Sequence, residues 1–131
     1  MTTRTILLLS LVVAQPALAQ TPADSRGAYL VGGVAMCGDC HSPRDGQGQP
    51  LAGRELSGSP MPGPPQQPSP HHAAYAPPIR GLPTGYDQAA LANLLETGTR
   101  PDGLRPRPPM PQFRLSASDA QAVAAYLASM K

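Results

Sequence analysis

The chain has 131 residues, and ten lysines and arginines against eight acidic residues give it a net charge of +2. This balance lacks the basic excess by which nucleic-acid-binding domains are recognised, so that class is excluded. Aromatic residues make up 4% of the chain, there is no Trp, and the single Phe is Phe113, so side chains supply few large apolar bodies for a core. A chain of this length forms one domain rather than two.

Residues 1–19 have the pattern of a secretory signal peptide. Arg4 gives a short positive region, residues 6–14 are apolar, and Ala17-Leu18-Ala19 is a small-x-small cleavage signal. The apolar run is shorter than the roughly 20 residues that span a bilayer, which makes a retained anchor the weaker interpretation. We expect cleavage after this signal, export to the periplasm, and a single mature domain over residues 20–131.

The first helix is expected to begin at Asp24 or Ser25, either of which can act as its N-cap, and to run toward Met36. Gly27 is unfavourable inside a helix by about 1 kcal/mol relative to Ala, which indicates that another helix crosses closely at this position. The pair Gly32-Gly33 weakens the same helix further.

The segment Cys37-Gly38-Asp39-Cys40-His41 carries the strongest chemical signal in the chain. Two thiols at this spacing on one helical turn can each bond to a vinyl group of one porphyrin, while the following histidine reaches the iron. Both cysteines of the chain lie here, so none remains for a structural disulfide or a four-ligand zinc site. We interpret Cys37 and Cys40 as the covalent attachment of one c-type haem and His41 as its proximal iron ligand.

Two other interpretations of the cysteine pair explain the sequence less well than haem attachment does. A thioredoxin-like redox pair needs a strand–helix–strand context that the sequence does not offer, and a lone disulfide leaves His41 unexplained. A buried haem would also provide the large apolar body that the aromatic-poor chain lacks, and we therefore expect haem to contribute to folding.

The residues that follow the motif are predicted to form loops. Pro43 or Pro50 is the expected source of a carbonyl that accepts the imidazole N–H of His41. Nine prolines within residues 60–83 exclude a long helix or a central strand, and we assign residues 60–78 as a proline-rich loop insert. The pair His71-His72 lies in this insert, either as solvated residues or as alternative iron ligands.

Two further helices are well marked by their capping residues. The first of them has Asp87 as N-cap and Gly98 as its stop. The final helix has Ser116 as N-cap in a capping box with Asp119. Its apolar residues recur at helical spacing and predict one buried face, made of Ala120, Val123, Ala124 and Leu127.

A methionine opposite His41 would close the iron to other ligands and favour electron transfer. Met36 is too close to the motif to reach the far face of a haem, and Met130 lies at the end of the chain. Met61 and Met110 remain as candidates. We favour Met110 as the distal ligand, because the flanking Pro109 and Pro111 hold its loop in place with little further loss of entropy.

Four arginines surround this second methionine and give the segment a local charge of +3 when the single acid, Asp102, is included. Such a cluster can neutralise the haem propionates, steer an acidic redox partner to the haem edge, or simply form a solvated loop. The arginines of this cluster are Arg100, Arg105, Arg107 and Arg114.

These motifs, in this order, resemble the class I cytochrome c family, and most closely the domains that serve as cytochrome subunits of periplasmic dehydrogenases. The segments that carry the resemblance are 26–31, 37–45, 101–103, 109–111, 115–116 and 125–127. The resemblance implies an all-α fold in which three main helices and proline-rich loops surround one covalently bound haem. It also implies axial ligation by His41 and Met110 and a crossing of the first and last helices near Gly27 and Tyr126. The chain departs from the pattern in the proline-rich insert, which is longer than in relatives.

The expected function is that of a periplasmic electron carrier rather than an enzyme. Its expected partners are redox proteins, such as a dehydrogenase, a quinol-oxidising complex or a terminal oxidase, and it would meet a membrane only through them. One alternative is a five-coordinate haem c enzyme or gas sensor, in which Met110 is only structural. Another is a cytochrome subunit fixed permanently to a dehydrogenase complex.

The signal-peptide hypothesis makes a direct prediction about the mature protein. N-terminal sequencing of the exported protein should give Gln20 as its first residue, because cleavage follows the small-x-small signal. A chain that still starts at Met1 or Thr2 would contradict cleavage.

Overall fold

A computed structural model describes residues 22–61 and 71–130, with no side-chain detail for residues 22–24. The predicted signal peptide and most of the first half of the proline-rich insert lie outside the described residues. The elements are helix α1 (Pro22–Tyr29), a π-helical turn (Leu30–Val34), α2 (Cys37–His41), strands β1 (Ser59–Pro60) and β2 (Tyr75–Ala76), α3 (Gln88–Thr97) and α4 (Ala117–Ser129).

The predicted all-α architecture is confirmed: the long elements are helices, joined by extensive loops. The two strands are only two residues each and pair antiparallel, with Ser59 opposite Ala76 and Pro60 opposite Tyr75. Within the part of the chain that the structure describes, no helix is both long enough and apolar enough to cross a membrane.

The first helix differs from its prediction at both ends. It begins at Pro22 rather than at Asp24 or Ser25, since a proline has no N–H to leave unbonded in the first helical turn. It then widens into the π-helical turn that contains both glycines, and Ala35 N–H closes this turn on the carbonyl of Leu30 at 2.8 Å. Met36 follows with a left-handed backbone (φ 46°), which ends the first helix and starts α2.

Helix α1 crosses α4 at Gly27, as the sequence predicted. A Cβ at this position would collide with the carbonyl oxygen of Ala122 and would lie 2.5 Å from Cβ of Tyr126. The two backbones therefore approach to a distance that only glycine permits. This crossing fixes the base from which the π-helical turn and α2 extend.

The capping residues of the later helices are confirmed. Asp87 accepts a hydrogen bond from Ala90 N–H at 2.7 Å, and Gly98 ends α3 with φ 66°. Ser116 caps α4 by accepting from Asp119 N–H at 3.2 Å. The carboxylate of Asp119 also pairs with the guanidinium of Arg26 in α1 through two hydrogen bonds of 2.9 and 3.1 Å.

The buried core joins the helices to the loop that precedes α3. The predicted face of α4 is buried throughout, with no member more than 2% exposed. It packs with the apolar side of α3 and with residues from three other segments. The full core cluster is Leu30, Val31, Leu56, Ile79, Leu91, Ala92, Leu94, Leu95, Ala120, Val123, Ala124 and Leu127.

The helix crossing predicts that alanine substitutions at two glycines of the first helical segment differ greatly in their effect on stability. Gly27→Ala should destabilise the holoprotein by about 1–3 kcal/mol, because the added methyl group overpacks the contact with α4. Gly32→Ala is the matched control, since nothing lies within 4 Å of a Cβ there. Urea unfolding followed by circular dichroism measures both, and equal stabilities would contradict the close crossing.

The Arg26–Asp119 pair predicts a pH dependence of stability. The hydrogen-bonded guanidinium of Arg26 lowers the pKa of Asp119 below its usual 3.8. A carboxyl whose folded pKa is depressed stabilises the protein above its unfolded pKa, and this contribution is lost as the pH falls through the folded pKa. Asp119→Asn should therefore lower the melting temperature at neutral pH, and the difference from the unmodified protein should shrink below about pH 4.

The control for this experiment is Glu96→Gln in α3. Glu96 is exposed and forms no ion pair with any residue that the structure describes. The melting temperature of the Glu96→Gln variant should follow that of the unmodified protein across the same pH range. A constant difference between Asp119→Asn and the unmodified protein down to about pH 2 would contradict the assigned role of the pair.

Candidate functional site

Helix α2 holds the two cysteines and the histidine of the motif on little more than one turn. Cys37 is half-buried, Cys40 is exposed and His41 is buried, with 8% of its surface exposed. Neither cysteine forms a disulfide. The helix therefore carries two free thiols, one at its start and one near its end, and an enclosed imidazole at its last residue.

The imidazole of His41 is held by a residue far away in the sequence. Its Nδ1 lies 2.7 Å from the carbonyl oxygen of Pro77. The prediction that Pro43 or Pro50 would supply this carbonyl is wrong, because both prolines are used within their own turn. Leu51 N–H bonds to the carbonyl of Pro43 at 3.0 Å, and Pro50 forms a β-bridge with Arg44.

Gly58 brings the Pro77 segment close to His41. Its N–H donates to the main-chain carbonyl of His41 at 2.7 Å, so the histidine is held through both its backbone and its ring. Gly58 has φ 87°, and a Cβ there would lie 2.6 Å from Oη of Tyr75 and 2.9 Å from the nitrogen of Pro78. Gly58 and Pro77 were absent from the site predicted from the sequence, because neither belongs to a recognisable motif.

The environment of His41 keeps its ring neutral. Burial lowers the pKa of His41, and this effect outweighs the opposing effect of the hydrogen bond to Pro77. Since a carbonyl can only accept, Nδ1 carries the proton and donates it to Pro77. The other ring nitrogen, Nε2, is then unprotonated and can serve as a metal ligand on the side of the cavity that His41 lines.

The thiol of Cys37 does not resemble that of a redox-active cysteine pair. Burial raises the pKa of Cys37, whereas the nucleophile of a thioredoxin-like pair has a lowered pKa. The surrounding elements are helices and loops rather than a strand–helix–strand unit. The thioredoxin-like interpretation therefore does not fit the structure.

The motif residues Cys37, Cys40 and His41 lie beside a cavity of about 360 Å³. Its volume lies in the range of about 300–1,000 Å³ that is usual for cofactor sites, and most of its lining is apolar. Cys37, Cys40, His41 and Met110 all line it. Further walls come from α3, α4, the Pro77 segment and the loop before α4, through Ala76, Pro78, Ile79, Leu91, Leu94, Leu95, Phe113, Val123 and Leu127.

Both candidate methionines line this cavity, but they differ in their support. Met110 packs against the buried core cluster, and its N–H bonds to the carbonyl of Arg107 at 3.2 Å. Met61 is not among the residues packed against that cluster, and its N–H bonds to the carbonyl of Ala74 at 3.0 Å. The structure thus brings both near the motif and anchors the side chain of Met110 more firmly.

The histidines of the proline-rich insert lie apart from the cavity lining. His71 and His72 are exposed, and the nearest residue of that segment to line the cavity is Ala73. The N–H of Ala73 bonds to the carbonyl of Pro108 at 2.7 Å, which links the end of the insert to the loop of Met110. The last residues of the insert and the residue after it, 75–79, line the cavity.

The donor set of the cavity fits a covalently attached iron porphyrin. Two thiols on one helical turn, a neutral imidazole with one free nitrogen and a thioether all face a single apolar space. Histidine and methionine are both established axial ligands of haem iron. The fit rests on the types of atom present, which are those needed for two thioether bonds and two axial ligands.

Comparison with known proteins agrees with this chemistry. The family model described as cytochrome c matches residues 25–131. A diheme cytochrome c-type protein of Cereibacter sphaeroides is 32% identical over 111 residues, which cover 81% of this chain and 35% of that protein. The chain thus spans about a third of the length of this relative.

Proposed function

The chain belongs to the cytochrome c family, and from this premise we propose that it is a periplasmic carrier of single electrons. Family membership implies that it binds haem c covalently and takes part in haem-based electron transfer, and the matched domain accounts for one haem. In the proposal, Cys37 and Cys40 would form the two thioether bonds, and His41 and Met110 would be the iron ligands. The arrangement of these four residues around one cavity carries the proposal.

The role of His41 is supported by how firmly its ring is held. Histidine ligands of metals usually donate their second N–H to a carbonyl or carboxylate, which fixes the ring orientation and raises the basicity of the ligating nitrogen. The hydrogen bond from Nδ1 to Pro77 fulfils this role. The bond from Gly58 to the main chain of His41 keeps α2 in register with the Pro77 segment.

The role of Met110 is supported by its contact with the buried core. The bound haem supplies reversible one-electron chemistry at its iron, and a thioether ligand raises the reduction potential relative to two histidines. A side chain that packs on the buried core cluster needs little rearrangement when the charge of the site changes. Met110 meets this condition better than Met61.

The proposed location and partners follow from the N-terminal pattern and from the family. Thiols are kept reduced in the cytoplasm, and c-type haem attachment accords with an exported protein. Cys40 lines the cavity and is also exposed, so one side of the site opens to solvent where another redox protein can approach. We propose donor and acceptor proteins of the membrane-linked respiratory type, and no substrate that this protein itself transforms.

Replacing each cavity methionine tests the distal ligand. Met110→Ala should abolish the long-wavelength absorption band of methionine bound to ferric iron and lower the reduction potential, while covalently bound haem is retained. Met61→Ala is the matched control and should keep both the band and the potential. Persistence of the band in Met110→Ala would refute the assignment, and its loss in Met61→Ala would identify Met61 as the ligand.

Carbon monoxide binding by the same variants separates the carrier from a five-coordinate enzyme or gas sensor. The reduced protein should bind carbon monoxide slowly or not at all, and Met110→Ala should bind it rapidly. Rapid binding by the unmodified protein would favour the enzyme or sensor. A fixed cytochrome subunit would instead be indicated by stable co-purification with a larger dehydrogenase, a possibility raised by the greater length of the diheme relative.

A further inference from the structure

We infer that Arg100 and Arg107 bind the two propionate carboxylates of the haem and form an anion-binding side of the cavity. The inference rests on the proposed function in taking haem as the occupant, but it does not depend on Met110 as the distal ligand. It divides the four arginines of the 100–114 loop into two pairs with different roles.

The charge of the residues that line the cavity supports propionate binding. Arg100 and Arg107 line it, together with the neutral His41, and none of the described residues that line it is acidic. Haem brings two carboxylates into this space. A carboxylate that leaves water without a partner is strongly destabilised, and arginine offers the paired N–H groups that match its two oxygens. Two cationic side chains on an otherwise apolar wall thus match two anionic groups of the occupant.

Arg105 and Arg114 are engaged outside the cavity. Both donate to Oε1 of Gln112, at 3.0 and 3.3 Å respectively. Arg114 also donates to the carbonyl of Phe113 at 2.7 Å, and its guanidinium lies against Gly98 at the carboxyl end of α3. A cation suits this end of the helix dipole. The Arg105 contact lies within the loop and the Arg114 contacts join it to α3, so Arg100 and Arg107 are the two arginines of this loop that line the cavity.

Arg100 is already oriented by a carboxylate of its own loop. Its Nη2 lies 2.8 Å from Oδ2 of Asp102, while the other oxygen of Asp102 accepts from Leu104 N–H at 3.0 Å. A guanidinium has five N–H donors, so this contact leaves others for a second carboxylate. Asp102 is thus a positioning residue for Arg100.

Arg107 forms no ion pair with any residue that the structure describes. Its main-chain carbonyl accepts the N–H of Met110, so this arginine and the methionine are three residues apart on one tight turn. The same turn would therefore present a cation to a haem carboxylate and a thioether to the iron side of the cavity.

The consequence is electrostatic control of the reduction potential. A positive charge near the haem favours the reduced state, which holds one more electron than the oxidised state. The effect falls with distance and, for exposed charges, with ionic strength. Arginines paired to the propionates should therefore raise the potential more, and with less screening by salt, than arginines elsewhere on the surface.

The experiment compares two double variants that remove the same number of charges. Arg100→Gln/Arg107→Gln removes the cavity pair, and Arg54→Gln/Arg105→Gln removes two exposed arginines that do not line the cavity. The first variant should lower the reduction potential more than the second, and its effect should persist at high salt. Redox-difference infrared spectra should show shifted propionate carboxylate bands in the first variant alone.

Arg100→Lys/Arg107→Lys keeps the charge but loses the paired donors, and provides a second measurement if the glutamine variant matures poorly. It should shift the carboxylate bands while leaving the potential closer to that of the unmodified protein. Equal, salt-screened changes of potential in both glutamine variants, or unchanged carboxylate bands in the cavity variants, would overturn the inference. Both readouts are independent of the methionine absorption band, so failure here is distinguishable from a wrong distal ligand.

Discussion

The hydrophobic core of this protein surrounds a cavity, and the packing of the rest of the structure depends on what fills that cavity. In both α3 and α4, residues of the buried cluster also line the cavity: Leu91, Leu94, Leu95, Val123 and Leu127. Among the described residues, every large side chain keeps at least 2% of its surface exposed. Haem, once bound, would cover the apolar surface that an aromatic-poor chain cannot bury against itself. We therefore propose that cofactor binding and folding are coupled in this domain.

The site is assembled from distant parts of the chain, each fixed by a different kind of contact. The α1–α4 crossing at Gly27 sets the base, and the hydrogen bonds of Gly58 and Pro77 hold the histidine. The loop of Met110 is tied to α3 by the bond from Leu115 N–H to the carbonyl of Leu95 at 3.0 Å. Short-range motifs thus supply the reactive atoms, and long-range contacts give them their orientation.

This division explains what could be predicted from the sequence. Caps such as Asp87, Gly98 and Ser116 depend on local chemistry and were predicted correctly, as was the close crossing implied by an otherwise unfavourable Gly27. The hydrogen-bond partner of His41 was not predicted, because Pro77 lies 36 residues away and no local pattern marks it. The start of α1 was missed because Asp24 and Ser25 offered caps while Pro22 offered a first helical turn. The pairing of Asp119 with Arg26 joins two helices and is likewise invisible along the chain.

The short β1–β2 ladder has a practical consequence for protein engineering. It pairs Ser59 with Ala76 and Pro60 with Tyr75, and Met61 N–H adds a bond to Ala74, so the chain on either side of residues 62–70 is joined at its base. The entropy of closing a loop grows only with the logarithm of its length, by about 0.6 kcal/mol per doubling. A peptide tag or a small reporter domain grafted between these two strands would therefore add little to the entropic cost of closing this connection. It would give this cytochrome a tether for an electrode or a fused enzyme.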